Sequence, residues 1–409
     1  MDLCFVAPVA SADIAPLLHD PAQPLPAGYT GAPLTAVLIG ELLRAGHRVH
    51  ALTVDYHLPP GSRAARAEGE RFVFEVLPGR RRAWRFEAGR PGRALDAFAD
   101  ERRALLHAIT AASPELVHAH WSYEFALAAI DSGLPHVVTA HDSPRQVWRY
   151  TRSPYRALRW WMARGALRRA HCVTAVSDYM AAEVQPMARV PVQVVPNPVA
   201  AQALALGRER AAPAARRIGM VCNGWDRRKN PEPALRAFVR LRPGLPGAEL
   251  HLFGADFGPG EQAQRWLAAQ GGAEGIVFHG RLPHHELLVR LAGLDLLLHP
   301  ALEESFGVVV AEAMALGLPV VAGTRSGAVP WVAGQQQWLV DVTAEDAIEA
   351  AAAQALSDTA RYAAASRAGR QRVLAQFSPT TVAERYLGLY DTVLAGARAR
   401  PTTVAATAA

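Results

Sequence analysis

Residues Pro300–Val321 read PALEESFGVVVAEAMALGLPVV. A run at Leu294–Leu298, apolar but for Asp295, leads in and another at Pro319–Ala322 leads out, so the pattern is strand, turn, helix, strand. The Ser305-Phe306-Gly307 turn and an apolar helix separate one carboxylate, Glu304, from a second, Glu312. Glu312 stands among Val308, Val309, Val310, Ala311, Ala313 and Met314, where an ionised carboxylate is costly unless a polar group satisfies it. A ligand's hydroxyls are one candidate for that group. The turn also feeds a helix N-terminus, whose free N–H groups and positive dipole end favour a phosphate or a polarised hydroxyl. The stretch therefore predicts two acceptors beside an anion seat. The plainer alternative is a helix with two solvated glutamates.

Outward from this stretch the alternation of apolar runs and helical patterns continues in both directions, which predicts doubly wound α/β domains with parallel sheets. Strands are expected at Leu3–Ala7, Val49–Val54, Phe72–Val76, Leu116–Ala119, Val137–Ala140, Cys172–Ala175 and Val192–Val195. In the second half they are expected at Ile218–Cys222, Glu249–Phe253, Gly275–Phe278, Leu294–Leu298, Pro319–Ala322 and Gln337–Val340. The 409 residues exceed one ordinary core. The expected division is a domain over 1–198, an Ala- and Arg-rich linker over 199–217, and a domain over 218–376. Residues 377–395 should form a terminal helix with Tyr386, Leu389 and Tyr390 on one face. Residues 396–409 should form a frayed, disordered tail, because Gly396 is a natural helix stop.

Lys and Arg number 43 against 37 Asp and Glu, a net charge of +6. No dense basic run is interleaved with stacking aromatics, which argues against nucleic acid as a partner. Cys4, Cys172 and Cys222 lie in apolar stretches without Cys-x-x-Cys spacing and read as reduced core residues of a cytosolic protein. Met1–Val6 reads as a first strand and not a signal peptide, and no apolar run approaches the roughly 18 residues of a membrane helix. A cytoplasmic protein is expected, at most peripheral at the inner face of a membrane.

Lys229 is the one lysine. It lies in NGWDRRKNPEPAL, Asn223–Leu235, between a strand and a helix, where a compact ammonium suits a diphosphate. Gly31 reads as the turn opening the first helix. The glycines of Leu252–Gly260 are wrongly spaced for a dinucleotide-binding Gly-x-Gly-x-x-Gly, and Pro259 interrupts them. His141 follows the strand Val137–Ala140, at the end where open α/β sheets collect ligands; a satisfied structural histidine is the alternative. His118 and His120 alternate on one strand and point to one face. No third ligand at motif spacing and no Asp-x-Asp accompanies them, so no metal is expected. From Arg145 to Arg169 basic residues mix with Trp148, Trp160 and Trp161. That mixture reads either as a basic amphipathic face for an anionic membrane or as a packed helix with solvated arginines.

The Glu-x7-Glu spacing of Glu304 and Glu312, the His299-Pro300 lead, the Ser-Phe-Gly turn and the Gly317-Leu318-Pro319 exit resemble the signature of retaining glycosyltransferases of family four. The resemblance covers nearly the whole chain and is strongest from Gly219 to Ala322. It implies the GT-B fold, in which two Rossmann-like, doubly wound parallel-sheet domains face each other across a cleft. The first domain would be on the acceptor side, the second would bind the nucleotide-sugar, and the terminal helix would cross back to the first.

By the same resemblance Glu304, Ser305, Phe306, Gly307 and Val308 hold the donor sugar, and Glu312 accepts hydrogen bonds from the ribose. Lys229 meets the diphosphate, Gly31 belongs to a glycine loop near the phosphates, and His141 faces the sugar. His141, Lys229 and Glu304 are thus the expected catalytic residues. The chain departs from the pattern at Asn223, where an arginine commonly faces the diphosphate and Arg228 substitutes, and at Pro330, where a glutamate is usual.

The implied activity is retaining, metal-independent transfer of a hexosyl group from a nucleotide-diphosphate donor to a glycan, lipid-linked or small-molecule acceptor, without a cofactor. The acceptor would attack from the leaving-group side while a diphosphate oxygen takes its proton. Bacterial polysaccharide biosynthesis is the implied setting. Two other classes stay open: another GT-B enzyme, such as a nucleotide-sugar epimerase or a phosphorylase, and a non-catalytic nucleotide-sugar-binding protein.

Overall fold

Each strand expected from the sequence forms, with ends within two residues of the expected ones. The computed structural model describes residues 1–59, 61–272 and 274–399. They divide into two units. The first comprises Met1–Val176, Ala181–Val195 and the described part of Val382–Ala409; the second comprises Ser177–Met180 and Pro196–Thr381.

The strands of the first unit are β1 (Asp2–Val6), β2 (Arg48–Asp55), β3 (Ala65–Gly69), β4 (Phe72–Pro78), β5 (Leu116–His120), β6 (His136–Ala140), β7 (Val173–Ala175) and β8 (Val192–Val194). They form one sheet in the order β3-β4-β2-β1-β5-β6-β7-β8. Every pairing is parallel except the antiparallel β3–β4. Parallel strands covered on both faces read as unbroken apolar runs, and β1, β5 and β6 are buried along almost their whole length. The edge strand β3 escapes that pattern. Its sequence is ARAEG and only Ala67 is buried, so it carries no strand signal.

The second unit holds β9 (Arg217–Val221), β10 (Glu249–Phe253), β11 (Ile276–Gly280), β12 (Leu296–His299), β13 (Val320–Gly323) and β14 (Trp338–Val340). The order is β11-β10-β9-β12-β13-β14, parallel throughout. Its core gathers Ile218, Leu250, Leu252, Leu296, Leu298 and Val321 from the sheet with Leu235 and Phe238 from the helix Pro231–Leu241.

Two boundaries differ from expectation. Residues 199–217 are not a free linker. They carry the helix Ala201–Leu206, and the Arg210 guanidinium donates to the carbonyls of Leu294 at 2.5 Å and Ala292 at 2.7 Å. The Asp295 carboxylate accepts from the backbone N–H groups of Ala214, Ala215 and Arg217 at 2.7–3.0 Å. Side-chain clamps of this kind leave no periodic trace in a sequence.

The terminal helix runs over Pro379–Arg398, so Gly396 does not stop it. Val382, Ala383, Tyr386, Leu389, Tyr390 and Leu394 pack into the first unit's core, and this burial outweighs the roughly 1 kcal/mol cost of a glycine in a helix. The remainder of the expected tail, 400–409, lies outside the described residues.

Candidate functional site

The second sheet reverses direction between β9 and β12, and the crevice beyond the carboxyl ends at such a switch point is where open α/β sheets take ligands. Two loops leave there, Asn223–Asn230 after β9 and Pro300–Gly307 after β12. They are sewn together. Asn230, in the left-handed region at φ 50°, donates from Nδ2 to the carbonyls of Pro300 at 3.0 Å and Val342 at 2.9 Å. Leu302 N–H donates to the Arg228 carbonyl at 2.8 Å. Held this way, Lys229 places Nζ 2.6 Å from Glu304 Oε1, with both side chains about 15% exposed.

Burial alone would raise the Glu304 carboxyl. The Lys229 ammonium, aided by His299 and Arg228, outweighs it and holds the group below the usual carboxylate range. His299, from the end of β12, lies 3.7 Å from the same oxygen. Burial pushes its imidazole down to about 4, against the pull of Glu304, so it is neutral at pH 7. Both its ring nitrogens are buried without a hydrogen-bond partner. Arg228 sits beside Glu303, 3.7 Å from Oε2.

Beyond Glu304 the chain turns through Gly307, at φ 85°, into the helix Val308–Ala315, whose first N–H groups have no side-chain cap. Gly327, at φ 63°, allows the backbone of Glu304 to close against it; a Cβ there would meet the Glu304 carbonyl at 2.5 Å. Glu312 lies one turn on, 3% exposed, and His284 Nε2 stands 2.7 Å from its Oε1. His284 opens the helix His284–Ala292. The protein itself thus satisfies the carboxylate that the sequence left without a partner.

In the first unit His141 follows β6, and His120 ends β5 beside it. His120 Nδ1 and His141 Nε2 share a hydrogen bond of 2.8 Å, and His141 stacks on Trp121 at 4.2 Å between centroids. His118 bonds through Nδ1 to Tyr390 and through Nε2 to Thr139, each at 2.7 Å. Burial drives all three imidazoles below the ordinary histidine range, His141 to about 3. His120 Nε2 and His141 Nδ1 remain buried without partners. Among the described residues no group of three or more His, Cys, Asp or Glu side chains is placed to hold a metal ion.

Comparison with known proteins bears on this arrangement. The family profile described as Glycosyltransferase Family 4 matches residues 34–203, and that of Glycosyl transferases group 1 matches 215–372. The 2-deoxystreptamine N-acetyl-D-glucosaminyltransferase of Streptomyces fradiae is 30% identical over 302 residues, 68% of this chain and 70% of that protein. The chain belongs to glycosyltransferase family 4.

Another relative is the GDP-mannose-dependent monoacylated alpha-(1-6)-phosphatidylinositol monomannoside mannosyltransferase of Corynebacterium glutamicum. It is 31% identical over 165 residues, which cover 39% of this chain and 42% of that relative's length. The sucrose-phosphate synthase of Thermosynechococcus elongatus shares the GT-B fold. It superposes with a TM-score of 0.74 at 19% identity over 97% of this chain and 100% of that one.

Against the residue pattern of family 4, the structure brings Lys229, Arg228, Glu304, Ser305, Gly307 and Val308 to one switch point. Phe306 joins them through its backbone. Its side chain is 2% exposed and packs edge-on against Phe377 and Trp331, so only its backbone faces the turn. The Ser305 carbonyl accepts from Ser177 Oγ at 2.7 Å. Asn223 is exposed, its Oδ1 3.5 Å from Ala255 N–H. Gly31, at φ 99°, has open space around its Cα ahead of the helix Pro33–Arg44.

In the 145–169 segment Arg159 is directed inward, paired with Glu124 and 3.7 Å above the Tyr123 ring, and Trp148 and Trp160 pack on each other, whereas Trp161 is 66% exposed beside the exposed Arg164 and Arg168. Sequence reasoning missed His284 and Asn230. His284 had only the doublet His284-His285 after Pro283 to mark it, and Asn230 looked like an ordinary helix start.

Proposed function

We propose that this chain is a retaining, metal-independent hexosyltransferase that moves a sugar from a nucleoside-diphosphate donor to a glycan, lipid-linked or small-molecule acceptor. The Lys229–Glu304 pair at 2.6 Å, beside the uncapped N-terminus of Val308–Ala315, carries the reading. When a donor enters, the ammonium turns to the diphosphate and the carboxylate is freed for the sugar hydroxyls. Arg228 and the helix N–H groups add to the positive field, in the place a divalent cation would otherwise take.

The bond from the anomeric carbon to the diphosphate oxygen breaks as the acceptor oxygen attacks from the same side, and the acceptor's proton passes to the departing oxygen. Fixed charges already in position stabilise that leaving group without reorganisation. His141, neutral at pH 7, serves as a hydrogen-bonding group to the sugar and not as a charged acid. Glu312 receives the ribose hydroxyls beside His284. The name of the Corynebacterium relative, GDP-mannose-dependent, supports a nucleoside-diphosphate donor.

The test is transfer from GDP-mannose, UDP-glucose and UDP-N-acetylglucosamine to a panel of acceptors in the presence of EDTA, with the product's anomeric configuration read by NMR. Retention at undiminished rate is expected; inversion, or dependence on a divalent cation, refutes the mechanism. An isomer formed from donor alone identifies an epimerase. Donor binding with neither transfer nor hydrolysis identifies a binding protein.

A further inference from the structure

The loop between β4 and the helix Ala99–Ala112 reads GRRRAWRFEAGRPGRALDAF over 79–98. Its stem is rigid. Arg80 is 9% exposed and is gripped by Asp96 at 2.7 Å and Glu101 at 2.6 Å, while Arg93 Nη1 donates to the Arg80 carbonyl at 2.7 Å. Its tip is the opposite. Arg81, Arg82 and Arg85 are exposed, and between them Trp84 and Phe86 present 46% and 69% of their surface to water.

The charges at the tip are not neutralised from within. Arg82 has Glu87 at 3.9 Å, whereas Arg81 and Arg85 have no acidic partner among the described residues. Trp84 meets Tyr155 edge-on with ring centroids 6.5 Å apart, which brings the tip beside the start of the helix Pro154–Arg169. A stem that pairs its arginines and a tip that leaves two of its three free, interleaved with two exposed rings, is a basic and aromatic run that the reading of the sequence passed over, and it suits a negatively charged, partly apolar surface.

Two rings cover far less than the roughly 800 Å² per partner of a stable protein interface. Amphipathic aromatics flanked by guanidinium groups fit the headgroup region of a bilayer, where the ring enters the acyl boundary and the cations meet lipid phosphates.

We propose that the Arg81–Phe86 tip docks this protein onto an anionic lipid bilayer. The tip is a different stretch of chain from the 145–169 segment in which the sequence suggested membrane contact, and Trp84 meets that segment at Tyr155. The proposal does not depend on the identity of the donor.

Flotation with vesicles of phosphatidylglycerol and phosphatidylcholine, against pure phosphatidylcholine, tests it. The full chain should float with the anionic vesicles only, and added salt should release it. Each arginine near an anionic leaflet contributes about fivefold, so R81E/R85E should weaken partitioning about 25-fold or more. W84A/F86A should lose most of the bound fraction, and brominated lipid should quench the parent more than W84F. Both double variants should keep the parent's thermal midpoint and its affinity for a free nucleoside diphosphate, since none of the four is among the residues assigned to the nucleotide. Equal binding to neutral and anionic vesicles overturns the proposal, as does parental vesicle binding by either double variant. Loss of soluble transfer in the parent would count against the enzyme reading alone.

Discussion

Replacing Glu304 by glutamine should tighten the binding of a free nucleoside diphosphate while suppressing sugar transfer. The substitution keeps the shape of the side chain and removes one negative charge that stands 2.6 Å from Lys229 Nζ. A diphosphate that engages the same ammonium comes to within about 6 Å of that carboxylate, and like charges at that distance repel by about 3 kcal/mol at an effective dielectric constant of about 20. Glu304 is 16% exposed, so solvent and salt reduce this to about 1–2 kcal/mol, roughly a tenfold gain in affinity. Transfer should nevertheless fall about a hundredfold, because hydrogen bonds from sugar hydroxyls to a charged acceptor contribute about 1.5–3 kcal/mol each. Lys229→Ala should act in the opposite sense on binding, weakening it about 10- to 100-fold. Calorimetric titration of UDP and GDP into the parent and both variants reads these changes directly. If Glu304→Gln leaves diphosphate affinity unchanged or lowers it, Lys229 is not the phosphate ligand and the assignment fails.

Acid should destabilise the fold through its buried histidines. His141 and His299 hold folded values of about 3 and 4 against an ordinary 6.5, so below about pH 6.5 the unfolded chain binds protons that the native state refuses. Stability is then lost by up to about 1.4 kcal/mol per pH unit for each group as pH falls towards those values. Urea midpoints from pH 6.5 to 4.5 should follow this slope and His299→Gln should reduce it by one group's share; an unchanged slope in that variant counts against the assignment. His284→Ala removes the Nε2 partner of a carboxylate that is 3% exposed and should lower stability by about 2 kcal/mol in thermal melts, whereas a loss near zero would mean Glu312 is satisfied elsewhere. Gly307→Ala forces a side chain onto φ 85° with its Cβ 3.3 Å from Val329 Cγ2, at a cost of about 1–2 kcal/mol. Gly388→Ala, in the terminal helix with open space around it, should instead stabilise by about 0.5–1 kcal/mol in the same urea series.

The sheets were legible because their strands are buried on both faces: LLLH in β12 and VVAG in β13 are continuous apolar runs that need no partner to be recognised. The Glu304–Glu312 stretch was legible for a related reason, since a carboxylate among valines and alanines is a statement about burial. What satisfies each carboxylate was not legible. Lys229 lies 75 residues from Glu304 and His284 lies 28 from Glu312, and neither pairing follows from local periodicity. The Phe306 ring, inside the motif, serves an aromatic cluster with Phe377 far along the chain, a packing that local periodicity does not show. β3 went unseen because an exposed edge strand with charged residues has the composition of a loop.

The bond between Tyr390 and His118 spans 272 residues, and that between Tyr386 and Thr139 spans 247. During synthesis the first sheet leaves the ribosome well before the helix that supplies these two hydroxyls. Until Pro379–Arg398 emerges, the His118 imidazole and the apolar surface that this helix covers have no native partner, although the second unit can already close on itself. The first unit therefore cannot complete its core until this helix, made after almost all of the second unit, is available. A chain truncated before Tyr386 would hold a finished second unit and an unfinished, sticky first one, the form most in need of a chaperone.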